Sequence, residues 1–196
     1  MRPVRLPPSS RGLGRHPFKV EITGSNPVGG TSNARPMPSW RTLRESAPEI
    51  VAAGEDRLRR FRLAMLGTLR ADGSPRISPV EPYLGSGELL LGVIRGSAKA
   101  SDLLRDPRCT LHSIVDDPDA GDSELTLRGR FIEVDEATRR ADPDAWWLSF
   151  EESAPLVGTI DLEAASLLRF DLERGELSVT SWTPAGGVSE QRKPYP

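Results

Sequence analysis

Between residues 37 and 182, short apolar or alternating runs are separated by sequences typical of tight turns. Asp72-Gly73, Gly85-Ser86-Gly87 and Glu173-Arg174-Gly175 contain the residues that hairpin turns require. Strands joined by such turns favour a closed antiparallel barrel over a parallel sheet, in which a helix follows nearly every strand. The pattern therefore predicts about seven strands, over residues 63–69, 76–84, 88–94, 109–115, 124–134, 166–172 and 176–182.

Helical signals are fewer and lie at the periphery of this pattern. Ser46 and Glu49 have the spacing of a capping box and predict a helix over residues 47–60. Two further predicted helices cover residues 97–105 and 135–153. The fold class is therefore mainly β (α+β), an antiparallel β-barrel with a few peripheral helices.

Three features should interrupt the regular strands and turns. Pro79 and Pro82 remove two ladder donors from the second predicted strand, which indicates bulges or a sheet edge. Gly129 indicates a bend in a long strand. The acidic run Asp116–Asp122 lacks the spacing and the final glutamate of an EF-hand, so we expect a solvated loop rather than a calcium site.

The two ends of the chain differ from its centre. The first 36 residues hold 11 Pro and Gly, six Lys or Arg and one acid, which predicts a disordered leader over residues 1–36. Gly24-Ser25-Asn26-Pro27 is what a common tRNA-gene sequence encodes in one frame, so we hypothesise that Met37 is the true start. The folded domain would then span residues 37–183, and a polar tail would occupy residues 184–196.

Charge and composition exclude several classes of function. Taking the leader's charge of +5 from the −2 of the whole chain leaves −7 on the remainder, which is unfavourable for binding nucleic acid. No apolar run approaches the ~18 residues of a membrane span. Cys109 is the single cysteine, which excludes intrachain disulfides and fits a cytoplasmic protein. With only His16 and His112 as histidines, we predict no metal site.

The segment with the clearest chemistry is the turn Gly96-Ser97-Ala98-Lys99, which follows a strand and begins a helix. Amide groups at a helix N-terminus favour an anion such as a phosphate, and glycine permits close approach of the backbone. Ser97 could donate its hydroxyl, and Lys99 would add a positive charge. Alternatively, Ser97 is only a helix cap and Lys99 an exposed helix residue.

Two segments relate this pattern to a known family. One is the hairpin from Leu66 to Val80, and the other is Gly96-Ser97-Ala98-Lys99-Ala100-Ser101-Asp102-Leu103, with Asp106-Pro107-Arg108 after it. In order and spacing they resemble the pyridoxamine 5′-phosphate oxidase-like, FMN-binding split-barrel family. The resemblance covers roughly residues 37–182. It implies a six-stranded split barrel that forms a homodimer and holds flavin in a groove between the protomers.

The same resemblance implies which residues meet the cofactor. These are Arg76, Ile77 and Ser78 near the ring and phosphate, Val93 and Ile94 at the ring, Ser97 and Lys99 at the phosphate, and Trp182 from the partner chain. The alternatives are a solvent-facing Arg76, barrel core for Val93 and Ile94, and hairpin packing for Trp182. His112 is either a donor near the flavin or a structural histidine.

The resemblance implies a flavin (FMN)-dependent oxidoreductase acting on a small-molecule substrate, with no catalytic residue identified. Family members that oxidise vitamin B6 phosphates have a basic and aromatic C-terminal block, which is not recognisable in residues 189–196. This departure argues against vitamin B6 oxidation. The alternatives are a reductase that uses the deazaflavin coenzyme F420, a non-catalytic flavin- or haem-binding protein, and a stress-response domain with an empty groove.

Overall fold

The computed structural model describes residues 37–117, 122–150 and 155–195. The predicted leader lies outside these residues, as do parts of the acidic loop and of the third predicted helix. The helices are α1 (Trp40–Ser46), α2 (Pro48–Phe61), α3 (Ala98–Arg105), α4 (Glu136–Arg139) and a short 3-10 helix (Trp146–Ser149). The strands are β1 (Ala64–Leu69), β2 (Pro75–Val80), β3 (Pro82–Gly85), β4 (Glu88–Val93), β5 (Arg108–Ser113), β6 (Ser123–Glu133), β7 (Leu156–Asp171), β8 (Glu176–Thr183) and β9 (Gly187–Pro194).

The strands of the described chain form one antiparallel sheet in the order β2-β1-β5-β6-β7-β4-β3, and β8 pairs with β7 and β9. The expectation of an antiparallel split β-barrel with a few helices is confirmed. β2 is the first strand of this order and β3 is the last, although only Glu81 separates them in sequence. The barrel is therefore open beside Glu81, where β2 and β4 approach each other without pairing.

The single strand predicted over residues 76–84 is wrong, because the chain changes partners at Glu81. Among the described strands β2 pairs only with β1, and β3 pairs only with β4, so both are edge strands. Pro79 lies on the first edge and Pro82 begins the second, where a missing ladder donor is tolerated. The prediction of an edge from these prolines is confirmed.

The predicted capping box at Ser46 is also wrong. Ser46 is the last residue of α1, and its hydroxyl donates to the Thr42 carbonyl oxygen at 2.7 Å. The chain turns at Ala47, and α2 begins at Pro48 with no side-chain cap. The observed capping box belongs to α1, where Ser39 and Thr42 exchange hydrogen bonds with each other's backbone amides.

The continuous helix predicted over residues 135–153 is replaced by α4 and the 3-10 helix. The Asp142 carboxylate accepts a hydrogen bond from the Asp144 amide at 3.0 Å, which stabilises a turn between them. Asp142 also accepts a hydrogen bond from the Tyr83 hydroxyl, which raises the pKa of Tyr83 to about 12. This turn carries the following aromatic residues to the open side of the barrel.

β7 begins ten residues earlier than the predicted strand over residues 166–172. Its pairing with β6 shifts where Arg128 faces Ala164 and Gly129 faces Leu162, which leaves Glu163 as an extra residue. From residue 158 to 162 the buried residues are even-numbered, and from residue 164 to 168 they are odd-numbered. This change of phase hid the strand from the alternation pattern. The predicted irregularity at Gly129 is confirmed.

Residues 184–196, expected only as a polar tail, include strand β9. All eight of its residues are exposed, and it pairs with β8 along its whole length. Because neither face of β9 is buried, its sequence has no apolar alternation that would reveal a strand.

The main core lies between α1, α2 and the inner faces of the strands, and includes Trp40, Leu66 and Leu127. A smaller cluster of Leu90, Ala145, Trp147 and Val157 anchors the 3-10 helix against β4 and β7. Asp122, at the end of the acidic loop, pairs with the buried guanidinium of Arg57 rather than facing only solvent. No helix in the described part of the chain is long and apolar enough to span a membrane.

Candidate functional site

A cleft of about 450 Å³ lies where the barrel is open. The ends of β2 and β4 form the floor of the cleft, and the start of α3 closes one end. The 3-10 helix and the residue after it form its side wall. Elements from four parts of the sequence therefore meet here, which is why the cleft depends on the tertiary fold.

The polar end of the cleft is built by the turn before α3. Gly96 has a φ of +84°, and a Cβ built there would meet nothing within 4 Å, so this side of the turn faces open space. Ser97 caps α3, because its side-chain oxygen accepts a hydrogen bond from the Ala100 amide at 3.2 Å. The amides of Ala98 and Lys99 are the remaining N-terminal donors of the helix. This arrangement suits an anion.

Lys99 lies beside these amides and lines the cleft. Its amino group donates to the Pro79 carbonyl oxygen at 2.5 Å, which joins α3 to the end of β2. Burial lowers the pKa of Lys99, and the negative charge of Glu81 partly opposes this shift. Of the described residues that line the cleft, Lys99 is the one cation and Glu81 the one acid.

The opposite wall of the cleft is apolar. Leu63, Ile94 and Phe150 are exposed large apolar side chains that line the same cleft, together with Val93 and Trp146. Exposed apolar groups clustered around one cleft are typical of a binding surface. The cleft can therefore hold a molecule with an anionic group at one end and an apolar body along the wall.

Trp146 is held in this wall by the absence of a side chain at Gly92. A Cβ built at Gly92 would lie 2.4 Å from Cζ2 of Trp146, so the indole packs directly on the backbone of β4. The Phe150 ring packs edge-on against Trp146 with 5.7 Å between centroids. Behind them, Trp147 donates its indole N–H to the Arg139 carbonyl oxygen at 2.9 Å. The indole N–H of Trp146 is buried and has no hydrogen-bond partner among the residues that the structure describes.

A model of the family described as pyridoxamine 5′-phosphate oxidase matches residues 50–171. The chain belongs to this family. A search of curated protein sequences finds no match.

Two solved structures share the fold of this family member. PhzG from Burkholderia lata 383, in complex with tetrahydrophenazine-1-carboxylic acid, is 11% identical with a TM-score of 0.56, over 87% of this chain and 100% of that chain. A pyridoxamine 5′-phosphate oxidase-related, FMN binding protein from Nostoc punctiforme PCC 73102 is 14% identical with a TM-score of 0.54, over 78% of this chain and 98% of that chain. A heme binding protein from Mycobacterium smegmatis is less similar, with a TM-score of 0.48 and 17% identity over 74% of this chain and 88% of that chain.

Four of the eight cofactor residues implied by the family resemblance lie together at the cleft, namely Val93, Ile94, Ser97 and Lys99. Ser97 is indeed a helix cap, but this does not remove it from the cleft. Its hydroxyl can donate one hydrogen bond while it accepts another. The two interpretations of Ser97 are therefore compatible.

The three β2 residues of the same set point to different faces. Arg76 and Ser78 alternate with the exposed residues of β2 and are half-buried, opposite the buried Thr68 and Leu66 of β1. Ile77 points outwards and is 70% exposed. None of the three lines the cleft. The side chain of Arg76 instead forms an ion pair with Asp102 of α3, at 2.6 Å between Nε and Oδ2.

Trp182 and His112 also lie away from the cleft. Trp182 is 2% exposed and belongs to the main core, which favours hairpin packing within its own chain. His112 lies on β5, with Nδ1 at 2.7 Å from the Ser113 carbonyl oxygen and Nε2 at 3.5 Å from a carboxylate oxygen of Glu124. Both ring nitrogens of His112 therefore have polar neighbours within the chain.

Other residues that line the cleft were not assigned to a site by the sequence analysis, among them Leu63, Glu81, Trp146 and Phe150. The run Trp146-Trp147-Leu148-Ser149-Phe150 is the densest aromatic segment of a chain with 6% aromatic residues, and this was an available signal. Glu81 lies between two prolines that mark the break between strands. For Leu63 no local signal distinguishes a cleft residue from ordinary core.

Proposed function

We propose that this protein binds FMN in the cleft, with the phosphate at the N-terminus of α3 and the isoalloxazine ring along Val93 and Ile94. The observation that supports this proposal is that the start of α3, with Lys99, and an apolar, aromatic wall line the same cleft. FMN has the same two parts, an anionic phosphate and a large planar ring. The family assignment and the structural neighbour described as FMN binding support this choice.

Each residue at the polar end has a defined role in this proposal. The ammonium of Lys99 and the amides of Ala98 and Lys99 would donate to the phosphate oxygens. Ser97 fixes the first turn of α3 by capping it and would donate its hydroxyl to the same phosphate. Gly96 leaves room for the phosphate beside the backbone.

We further propose that the protein is an oxidoreductase acting on a small molecule. Bound FMN would supply the hydride chemistry, and the protein would orient the ring and exclude water from its apolar side. Of the described residues that line the cleft, Glu81 and Lys99 are the ones with titratable side chains. They are the groups that could hold a proton near the substrate.

The proposal includes a homodimer in the cytoplasm. Ile77 is a large exposed apolar residue on an edge strand, and all residues of β9 are exposed. Exposed apolar residues and unpaired strand edges are features that a second copy of the chain could cover. In such a dimer Arg76, Ile77 and Ser78 would line a flavin groove that both protomers complete.

Haem is less compatible with this cleft than a flavin. Proteins hold haem iron with His, Cys, Met or Tyr. Among the described residues that line the cleft there is no side chain of these four types. The F420 alternative shares a phosphate-linked flavin-like ring with FMN, so binding measurements must separate the two.

We expect the purified protein to bind FMN at least about 10-fold more tightly than riboflavin, because a charge-assisted phosphate contact contributes about 1.5–3 kcal/mol. Quenching of flavin fluorescence during titration gives both dissociation constants, and parallel titrations with F420 and haemin complete the comparison. Binding of F420 or haemin without binding of FMN would contradict the proposed cofactor. Failure of NAD(P)H to reduce bound FMN, and of acceptors to re-oxidise it, would favour the non-catalytic alternative.

A further inference from the structure

The carboxylate of Asp102, on α3, is buried and fully engaged. Its side chain is 4% exposed and accepts three hydrogen bonds, from Thr68 Oγ1 at 3.0 Å, Arg76 Nε at 2.6 Å and Arg105 Nη2 at 3.0 Å. The hydrogen bond from Arg76, aided by those from Arg105 and Thr68, lowers the pKa of Asp102 to about 2. Asp102 is therefore negatively charged at any physiological pH.

The donors come from three different elements, β1, β2 and α3. A buried carboxylate is costly to desolvate and gives little net stability even when it is paired, so a gain in stability does not explain why Asp102 lies here. Two arginines share this one carboxylate, which leaves a net positive charge on this part of the molecule. Arg76 retains 26% exposure of its side chain, so its guanidinium is held in place and still reaches solvent.

Asp102 is linked to the cleft through both of its neighbouring elements. It lies three residues after Lys99, so the two side chains project from the same side of α3. Arg76 lies three residues before Pro79, or roughly 10 Å along β2. Lys99 donates a hydrogen bond to the Pro79 carbonyl oxygen at the cleft, and Asp102 accepts one from Arg76 further along the helix. α3 and the edge strand β2 are thus joined at two points, of which only the first lines the cleft.

We propose that Asp102 is a positioning residue for the phosphate end of the cleft. Its carboxylate orients Arg76 and fixes α3 against β2, so that Lys99 and the first amides of α3 face a common point. This inference rests on the proposed binding of FMN. It assigns to Asp102 a role that would act on the phosphate and not on the ring, because the ring would lie along the apolar wall, which Asp102 does not line.

The test compares FMN with riboflavin, which lacks the phosphate. We expect Asp102→Asn to raise the dissociation constant for FMN by about 10-fold and that for riboflavin by less than about 2-fold, since loss of the ion pair with Arg76 loosens the phosphate donors of α3. Asp106→Asn is the matched control. Asp106 lies at the end of the same helix with its pKa lowered to about 2 by Arg108, but it pairs within its own segment and not with β2.

Arg76→Met provides a second route, because Arg105 and Thr68 still donate to the Asp102 carboxylate when Arg76 is removed. It should weaken FMN as Asp102→Asn does, and the double variant should be no weaker than either single variant. Additive losses would show that Arg76 and Asp102 act separately and would overturn the inference. An unchanged ratio of FMN to riboflavin affinity in both single variants would reduce Asp102 to a structural residue, while the wild-type titration would still stand as support for the proposed function.

Discussion

Replacing Lys99 with Met should weaken FMN binding by about 10- to 100-fold, or about 1.4–2.8 kcal/mol. Lys99 supplies the one positive side chain among the described residues that line the cleft, and it lies beside the first amides of α3. Met keeps a similar length and apolar stem but removes the charge. Isothermal titration calorimetry or flavin fluorescence quenching measures the change.

Two other variants make this result specific. Lys193→Met makes the same substitution on the exposed strand β9 and should leave the dissociation constant for FMN unchanged. Glu81→Gln should tighten FMN by about 2- to 3-fold, because it removes a negative charge that acts on Lys99. Equal affinities of wild type and Lys99→Met would remove Lys99 from the binding site.

The same lysine predicts how FMN binding depends on pH. Burial lowers the pKa of Lys99, so as the pH rises its positive charge is lost at a lower pH than that of a free lysine. Affinity for FMN should fall as this charge is lost in wild type but not in Lys99→Met. Below about pH 6 affinity should also fall in both proteins, because the phosphate takes up its second proton. Titrations at a series of pH values test both limits.

Replacing Gly129 with Ala should cost about 3 kcal/mol of folding free energy. A Cβ at this position would lie 2.0 Å from the Asp161 carbonyl oxygen and 2.8 Å from Cγ2 of Ile160. The first contact is with backbone, so relief requires a shift of β7 at the bulge where it pairs with β6. Urea unfolding followed by tryptophan fluorescence gives the free energy, and the melting temperature should fall by about 10 °C.

Gly67 is the matched control for this substitution. It also lies in a strand, β1, but a Cβ there would meet its nearest neighbour, the Thr110 carbonyl oxygen, at 3.6 Å, which is ordinary contact. Gly67→Ala should change the free energy of unfolding by less than about 1 kcal/mol. Equal effects of the two substitutions would mean that the bulge adapts without strain.

Local signals in the sequence were sufficient for most of the barrel. The turn residues Asp72-Gly73 and Gly85-Ser86-Gly87 predicted hairpins because positive φ is needed there, and the structure has positive φ at Gly73, Ser86 and Gly87. Pro79 and Pro82 predicted an edge because they lack a donor. The pattern failed where alternation was broken, as at Glu163, or where no face is buried, as along β9.

The candidate site was predicted in part for the same reason. Ser97 and Lys99 belong to a strand-turn-helix segment whose chemistry can be read locally, and Val93 and Ile94 precede it directly. Glu81, Trp146 and Asp102 have no such local context. Their roles arise from contacts with residues distant in sequence, such as Gly92 for Trp146 and Arg76 for Asp102.

The sequence by itself determined that the chain forms an antiparallel barrel and that α3 begins at a glycine turn with a serine cap, because backbone conformation at glycines, prolines and caps is a local property. Only the tertiary structure decided where the barrel opens, which aromatic residues face that opening, and that Arg76 is held by Asp102 instead of lining the cleft. These depend on which strands pair and on close packing between distant segments, and the free energies involved exist only once the chain has folded.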